Sequence, residues 1–495
     1  MRAVLAGFIS FALLFSVSQT QAAEVNRAQA LHLLNRITYG PTPALMQEVE
    51  RIGLGPFIEQ QLHPEQIPPY TQLNQLLAPM VTTNSTLTQL TEAYMPPEHK
   101  GVKLTPEEKK AARRRMAIIT DELREAKLLR AIYGPAQLQE LMVDFWFNHF
   151  NVFEDKGADR ILIGTYERDA IRPYAMGKFR DLLQATAKHP AMLFYLDNWL
   201  NTAPDSRFAK GKFKGLNENY AREIMELHTM GVDGGYTQQD VTTLARILTG
   251  WGFGVGKGKD KAERVAEFEF DPRRHDYSTK EFLGHTIRGT GADEVEQAID
   301  ILTHHPSTAH HIAYEIAQYF VADEPPESLV QQMAATFTRT DGDIRAVLST
   351  MLYSKEFWDP QYAQNKFKPP LRFVVSAVRL STVPLRDMEG VEKSISTMGE
   401  PLYHYLTPDG YPATNERWMN SDALLRRIGF AKELVNGRFS RKDSSGMKQV
   451  PDISADAMLS VFGSQFSPQS RSAVDKADGK LKPVMILSSP EVLYY

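Results

Sequence analysis

The chain has 495 residues, a formal net charge of −4 and no cysteine. Without thiols it is closed to covalent c-type haem, iron–sulfur clusters, thiolate zinc, disulfides and cysteine nucleophiles, so any metal must use His, Asp or Glu ligands. The mild acidity argues against nucleic acid or an anionic membrane as partner.

Arg2 precedes the apolar run Ala3 to Val17, which is followed by small and polar residues from Ser18 to Ala23. This is the pattern of a cleavable secretory signal, cut after Ala22 or Ala23. The run is shorter than the ~20 residues of a membrane span. The absence of a twin-arginine pair points to the general secretion route, and no cysteine follows to carry a lipid. The expected mature protein is periplasmic or secreted, has no membrane span and carries a formal charge of −5.

The dominant period after that segment is helical. Thr105, Pro106 and Glu108 make a capping-box start, and Gly134 and Pro135 stop the helix after Tyr133. The next helix carries Leu138, Leu141, Met142, Phe145 and His149 on one stripe. A third is expected from near Asn217 to Gly231, and a fourth from Thr237 to Gly250. Further helices are expected at Asp293 to Leu302, Ser307 to Phe320, Asp343 to Tyr353, Pro370 to Leu380 and Ser421 to Val435. Strand signals are confined to Val265 to Phe270, answered by Phe282 to Ile287. The fold class is therefore mainly α: two or three packed helical subdomains with one small β-hairpin at about 264–287. The expected division is a signal at 1–22, an N-terminal helical region at 23–135, a central one at 136–320 and a C-terminal one at 321–495.

The richest polar stretch runs from Asn217 to Thr229. On a helix, Asn219, Arg222, Glu223 and Glu226 share one face, and Ala221, Ile224, Met225 and His228 an adjacent one. Two carboxylates a turn apart with an arginine between them suit acid–base work, or a metal with a histidine's help. The same pattern fits a solvated face of ion pairs, Glu218–Arg222 and Arg222–Glu226.

His149 lies on an apolar stripe, where a core histidine satisfied by hydrogen bonds is the plainer alternative to a catalyst. His189 and Asp197 form a second polar patch in apolar surroundings. His304, His305, His310 and His311 are split by Pro306, which disfavours a shared metal. His275 and Asp276 are accounted for by turn chemistry. Lys212 and Lys257 belong to two basic glycine-containing loops suited to gathering an anionic substrate. The catalytic candidates are thus Glu223, Glu226, Arg222, His149 and His228. The binding candidates are Asn219, His189, Asp197, Lys212 and Lys257, with no metal ligand assigned.

The run from Asn217 to Phe253, including Leu244-Ala245-Arg246 and Thr249-Gly250-Trp251, resembles the signature of the bacterial domain of unknown function 1800 family. Leu33 to Pro41, Trp146 to Asn151, His189-Pro190, Thr340 to Ile344 and Thr407 to Pro412 fit it as well, so the resemblance covers 23–495 as one family-wide domain. It implies an exported, predominantly helical protein whose gene neighbours encode exported proteins similar to phosphatases and sulfatases. It carries no activity, cofactor or catalytic residue. Three expectations follow: an exported hydrolase using the Glu/Arg/His cluster with or without a metal, an accessory protein for a phosphatase/sulfatase-like partner or envelope polymer, or a buried polar lock between helices.

Overall fold

Capping chemistry sets where the helices begin. Thr105 accepts from the Glu108 backbone N–H at 3.2 Å while Glu108 accepts from Thr105 N–H at 2.8 Å, and the helix Pro106–Tyr133 follows. Thr237 and Asp240 repeat the arrangement at the start of Gln238–Ile247. The computed structural model describes residues 25–94, 105–255, 266–440 and 452–495. The signal-like segment, residues 95–104 and Lys257 lie outside the described residues.

Among the described residues there are 24 α-helices and four short strands, a mainly α architecture. Buried apolar side chains form one contiguous cluster from Ala30 to Leu493, with a small satellite at Leu90, Ile119 and Ile161. No helix among the described residues is long and apolar enough to cross a membrane. The helices at Gln137–His149, Glu294–Thr303, Pro306–Phe320, Ile344–Leu352, Pro370–Ser381 and Ser421–Val435 stand where the apolar spacing puts them.

Two expectations are corrected. The third helix spans Asn219–Glu226 and stops short of Gly231. Beyond it the chain widens: His228 N–H donates to Glu223 O and Met230 N–H to Met225 O, both at 3.0 Å, and Thr229 Oγ1 donates to Ile224 O at 2.7 Å. The wider turn takes His228 off the helical face of Ala221, Ile224 and Met225.

The single hairpin is in fact two. Strand β1 (Trp251–Val255) pairs antiparallel with β2 (Ala266–Phe270), and β3 (Lys280–Phe282) pairs with β4 (His285–Ile287). The β3–β4 turn, Leu283-Gly284, has φ of 50° and 80°, the two positive values of a tight hairpin turn. Between the hairpins Asp276 makes the expected turn, accepting from Ser278 N–H at 2.9 Å and Ser278 Oγ at 2.6 Å, while the buried Glu294 bonds His275 at 2.8 Å and Lys280 at 2.7 Å.

Candidate functional site

The Gln137–His149 helix ends in Asn148 and His149, and the chain then leaves through Asn151. Asn148 Oδ1 accepts from Tyr411 N–H at 2.7 Å and its Nδ2 donates to Tyr411 O at 2.9 Å. Asn151 Nδ2 donates to Tyr405 O at 3.0 Å and Thr407 O at 2.8 Å. Two asparagines thus hold the 405–411 loop by its backbone. Gly410, with φ +67°, passes so close that a Cβ would lie 2.3 Å from Asn148 O. Only glycine fits there.

Behind this loop lies a cavity of about 330 Å³. Its polar walls are Lys127, Asp144, His149, Glu315, Gln318, Arg372, Glu400 and Asp409, and Tyr39, Tyr319, Tyr403, Tyr405 and Tyr411 supply much of the rest. Such a cavity, largely aromatic with a few convergent ionisable groups, is the usual form of a small-molecule site.

The charges inside it are arranged in opposed environments. Lys127 Nζ lies 2.7 Å from Asp144 and 3.7 Å from Glu167. Burial alone would depress the Lys127 ammonium, but the two carboxylates outweigh it and hold it above its ordinary value. His149 Nε2–H donates to His228 O at 3.2 Å, and Nδ1 meets Glu315 Oε2 at 2.7 Å with a proton between them. Burial would raise the Glu315 carboxyl, yet His149 and His311 together hold it below the ordinary range. Glu400 has the opposite setting. Its burial pushes the carboxyl up to about 8, against a bond from Leu371 N–H at 2.7 Å and with Asp144 adding to the rise. One cavity therefore holds a carboxylate kept charged and a carboxyl kept neutral at pH 7.

Of the residues singled out in the sequence, only His149 lines this cavity. Glu223 stands near its edge, close enough to Asp409 for repulsion: burial first, then Glu226 and Asp409, raise its carboxyl against the pull of Arg222. Arg222 is half-exposed and pairs loosely with Glu226 at 3.3 Å and Glu218 at 3.5 Å, which is not a buried lock. Asn219 is exposed and donates to Leu196 O at 3.2 Å.

His228 is buried, with neither ring nitrogen hydrogen-bonded and its ring 5.0 Å from Phe150. Burial first, then His149 and His311, drive its pKa well down. His189 does not line the cavity: it caps Pro190–Tyr195 by accepting from Ala191 N–H, and burial lowers it to about 3. Asp197 sits in a left-handed turn (φ 59°) and pairs with Lys156 at 3.1 Å. Lys212 lies over the Trp199 ring, 4.3 Å from its centre.

The four clustered histidines disperse. His304 pairs with Asp341, His305 caps the Pro306–Phe320 helix, His310 pairs with Glu327, and His311 donates to Leu227 O at 3.3 Å. Among the described residues, Glu154, Asp155 and His404 bring ligand atoms within 4.8 Å of one another, but Arg124 already pairs with Glu154.

Sequence reasoning missed Lys127, Asp144, Glu315 and Glu400, brought by folding to the same cavity as Asp409 of the Thr407 to Pro412 segment. The one available signal was the joint presence of the Trp146 to Asn151 and Thr407 to Pro412 segments, which prove to be two facing walls. No curated protein and no solved structure matches the chain. Residues 32–494 match the family described as protein of unknown function (DUF1800), and the chain belongs to that family.

Proposed function

We propose that the protein is an exported hydrolase working by general acid–base catalysis in the cavity behind the 405–411 loop. The observation that carries this reading is the opposed pair of glutamates: Glu400 neutral at pH 7 and Glu315 charged, on the walls of one cavity. Two carboxyl groups whose surroundings drive their proton affinities apart are the standard means of placing an acid and a base together. Glu400 would protonate the leaving group, and Glu315, steadied by His149, would take a proton from the attacking water. The Lys127–Asp144 pair and the tyrosine hydroxyls would orient a polar substrate. Glu223 with Glu226, the acid–base pair first suggested by the sequence, would act at the rim by setting the charge of the mouth.

Hydrolysis of a panel of glycosides, esters and amides should be detectable near pH 6.5 and fall as Glu400 loses its proton near pH 8. Glu400→Gln and Glu315→Gln should each lower kcat by about 10²–10⁴-fold. Wild-type rates in both variants would overturn the assignment. Export, read from residues 1–22, is tested by sequencing the N-terminus of the mature protein, which should begin at Ala23 or Glu24.

A further inference from the structure

Arg207, Lys210, Lys212 and Lys214 lie on an exposed ledge. The near neighbours of two of these cations are aromatic rings. Lys212 Nζ lies 4.3 Å from the centre of Trp199 and 5.2 Å from that of Phe213, and the Arg207 guanidinium is 5.0 Å from Phe208. Arg273 covers the same Phe208 at 5.1 Å, and Arg274 covers Phe213 at 4.8 Å. Among the described residues, Asp271 and Glu269 are the acidic side chains that act on Arg273 and Arg274 beside the ledge. Asp271 is taken up by Arg273 at 2.9 Å and Arg274 at 3.4 Å, and Glu269 acts on the same two arginines. Among the described residues none of the four cations of 207–214 forms an ion pair, on a protein that is acidic as a whole.

The rings are themselves fixed. Trp199 stacks on Phe194 at 5.8 Å, meets Phe253 at 6.0 Å, and has its carbonyl held by Arg274 Nη1 at 2.9 Å. Cations seated on anchored rings are presented with little rotamer entropy left to lose. None of the exposed large apolar side chains belongs to residues 199–214, so the ledge offers no wedge for a lipid surface. The ring faces lie under the cations instead of standing open for base stacking. What remains is a patch of four exposed cations, two of them seated on rings.

We propose that this ledge is an attachment site for a carboxylate-bearing linear polysaccharide, separate from the cavity and independent of any hydrolysis there. The ledge and the cavity mouth share one support, the Pro190–Tyr195 helix: Phe194 backs Trp199, and Tyr195 Oη donates to Leu406 O at 2.8 Å.

Binding of the full chain to polygalacturonate, dextran, phosphatidylglycerol vesicles and duplex DNA tests the proposal. Polygalacturonate should bind and weaken with salt, and dextran should not. Arg207→Glu with Lys212→Glu should weaken polygalacturonate binding by about tenfold or more without a change in Tm. If that variant misfolds, Lys210→Gln with Lys214→Gln serves the same purpose and should show a smaller loss. Unchanged binding in a folded variant, or preference for vesicles, DNA or dextran, would overturn it.

Discussion

Replacing Glu400 by glutamine isolates the proton that the fold holds in the cavity. A neutral glutamic side chain and glutamine have nearly the same shape, and the amide oxygen can still accept from Leu371 N–H, now at 2.7 Å. In the folded protein the Glu400 carboxyl keeps its proton up to about pH 8, whereas an unfolded glutamate gives it up near 4.5. Between those limits folding takes up a proton. The contribution is therefore complete below about pH 4.5, shrinks by about 1.4 kcal/mol per pH unit above it, and is gone once pH passes about 8. From about pH 5 to about pH 8 the wild type should lose about 3.5 kcal/mol that the variant does not. Thermal melts of both proteins across that range give the measurement. Their difference should grow steadily in favour of Glu400→Gln as pH rises. Parallel curves would mean that the carboxyl is not held neutral, and the acid role assigned to it would fall with that result.

Other perturbations have distinct expected outcomes. Asn148→Ala removes both bonds to the Tyr411 backbone and should cost about 1–3 kcal/mol, with faster amide exchange confined at first to the 405–412 loop. Gly231→Ala places a Cβ 3.0 Å from His311 Nδ1 at φ +80°, and a loss of about 1–2 kcal/mol in denaturant unfolding is expected. Arg222→Leu breaks two long, half-exposed ion pairs and an exposed hydrogen bond to Gln238 and should change stability by less than about 1 kcal/mol. A larger loss there would restore the buried-lock reading that the geometry disfavours.

The helices were legible because their signals are local. Capping boxes at Thr105 and Thr237, proline at helix starts and apolar spacing of three and four all act within a few residues. Strand β1 was not, because Gly252 and Gly254 read as loop. Their bareness serves the neighbours: a Cβ at Gly254 would collide with Glu269, and one at Gly252 would press on Arg274 and Trp199. The wide turn after Glu226 was not legible either, since its bonds from His228, Thr229 and Met230 back to Glu223, Ile224 and Met225 carry no local sequence signal.

The site was legible only in part. His149 could be singled out from its own helix, but its partner Glu315 is 166 positions away, and Glu400 declares itself only once burial is known. Glu223 and Glu226 drew notice through density of charge in sequence, a property shared by any solvated helix.

The cavity wall includes Tyr39 near one end of the chain and Tyr495 near the other, with Lys127, Glu315 and Glu400 between. A fragment lacking either of these segments would lack part of that wall. Occupancy is therefore tied to the packing of segments far apart in sequence. A compound that enters the cavity should raise the melting temperature in proportion to the logarithm of its concentration over Kd. Ligands can thus be found by thermal shift before any reaction is known.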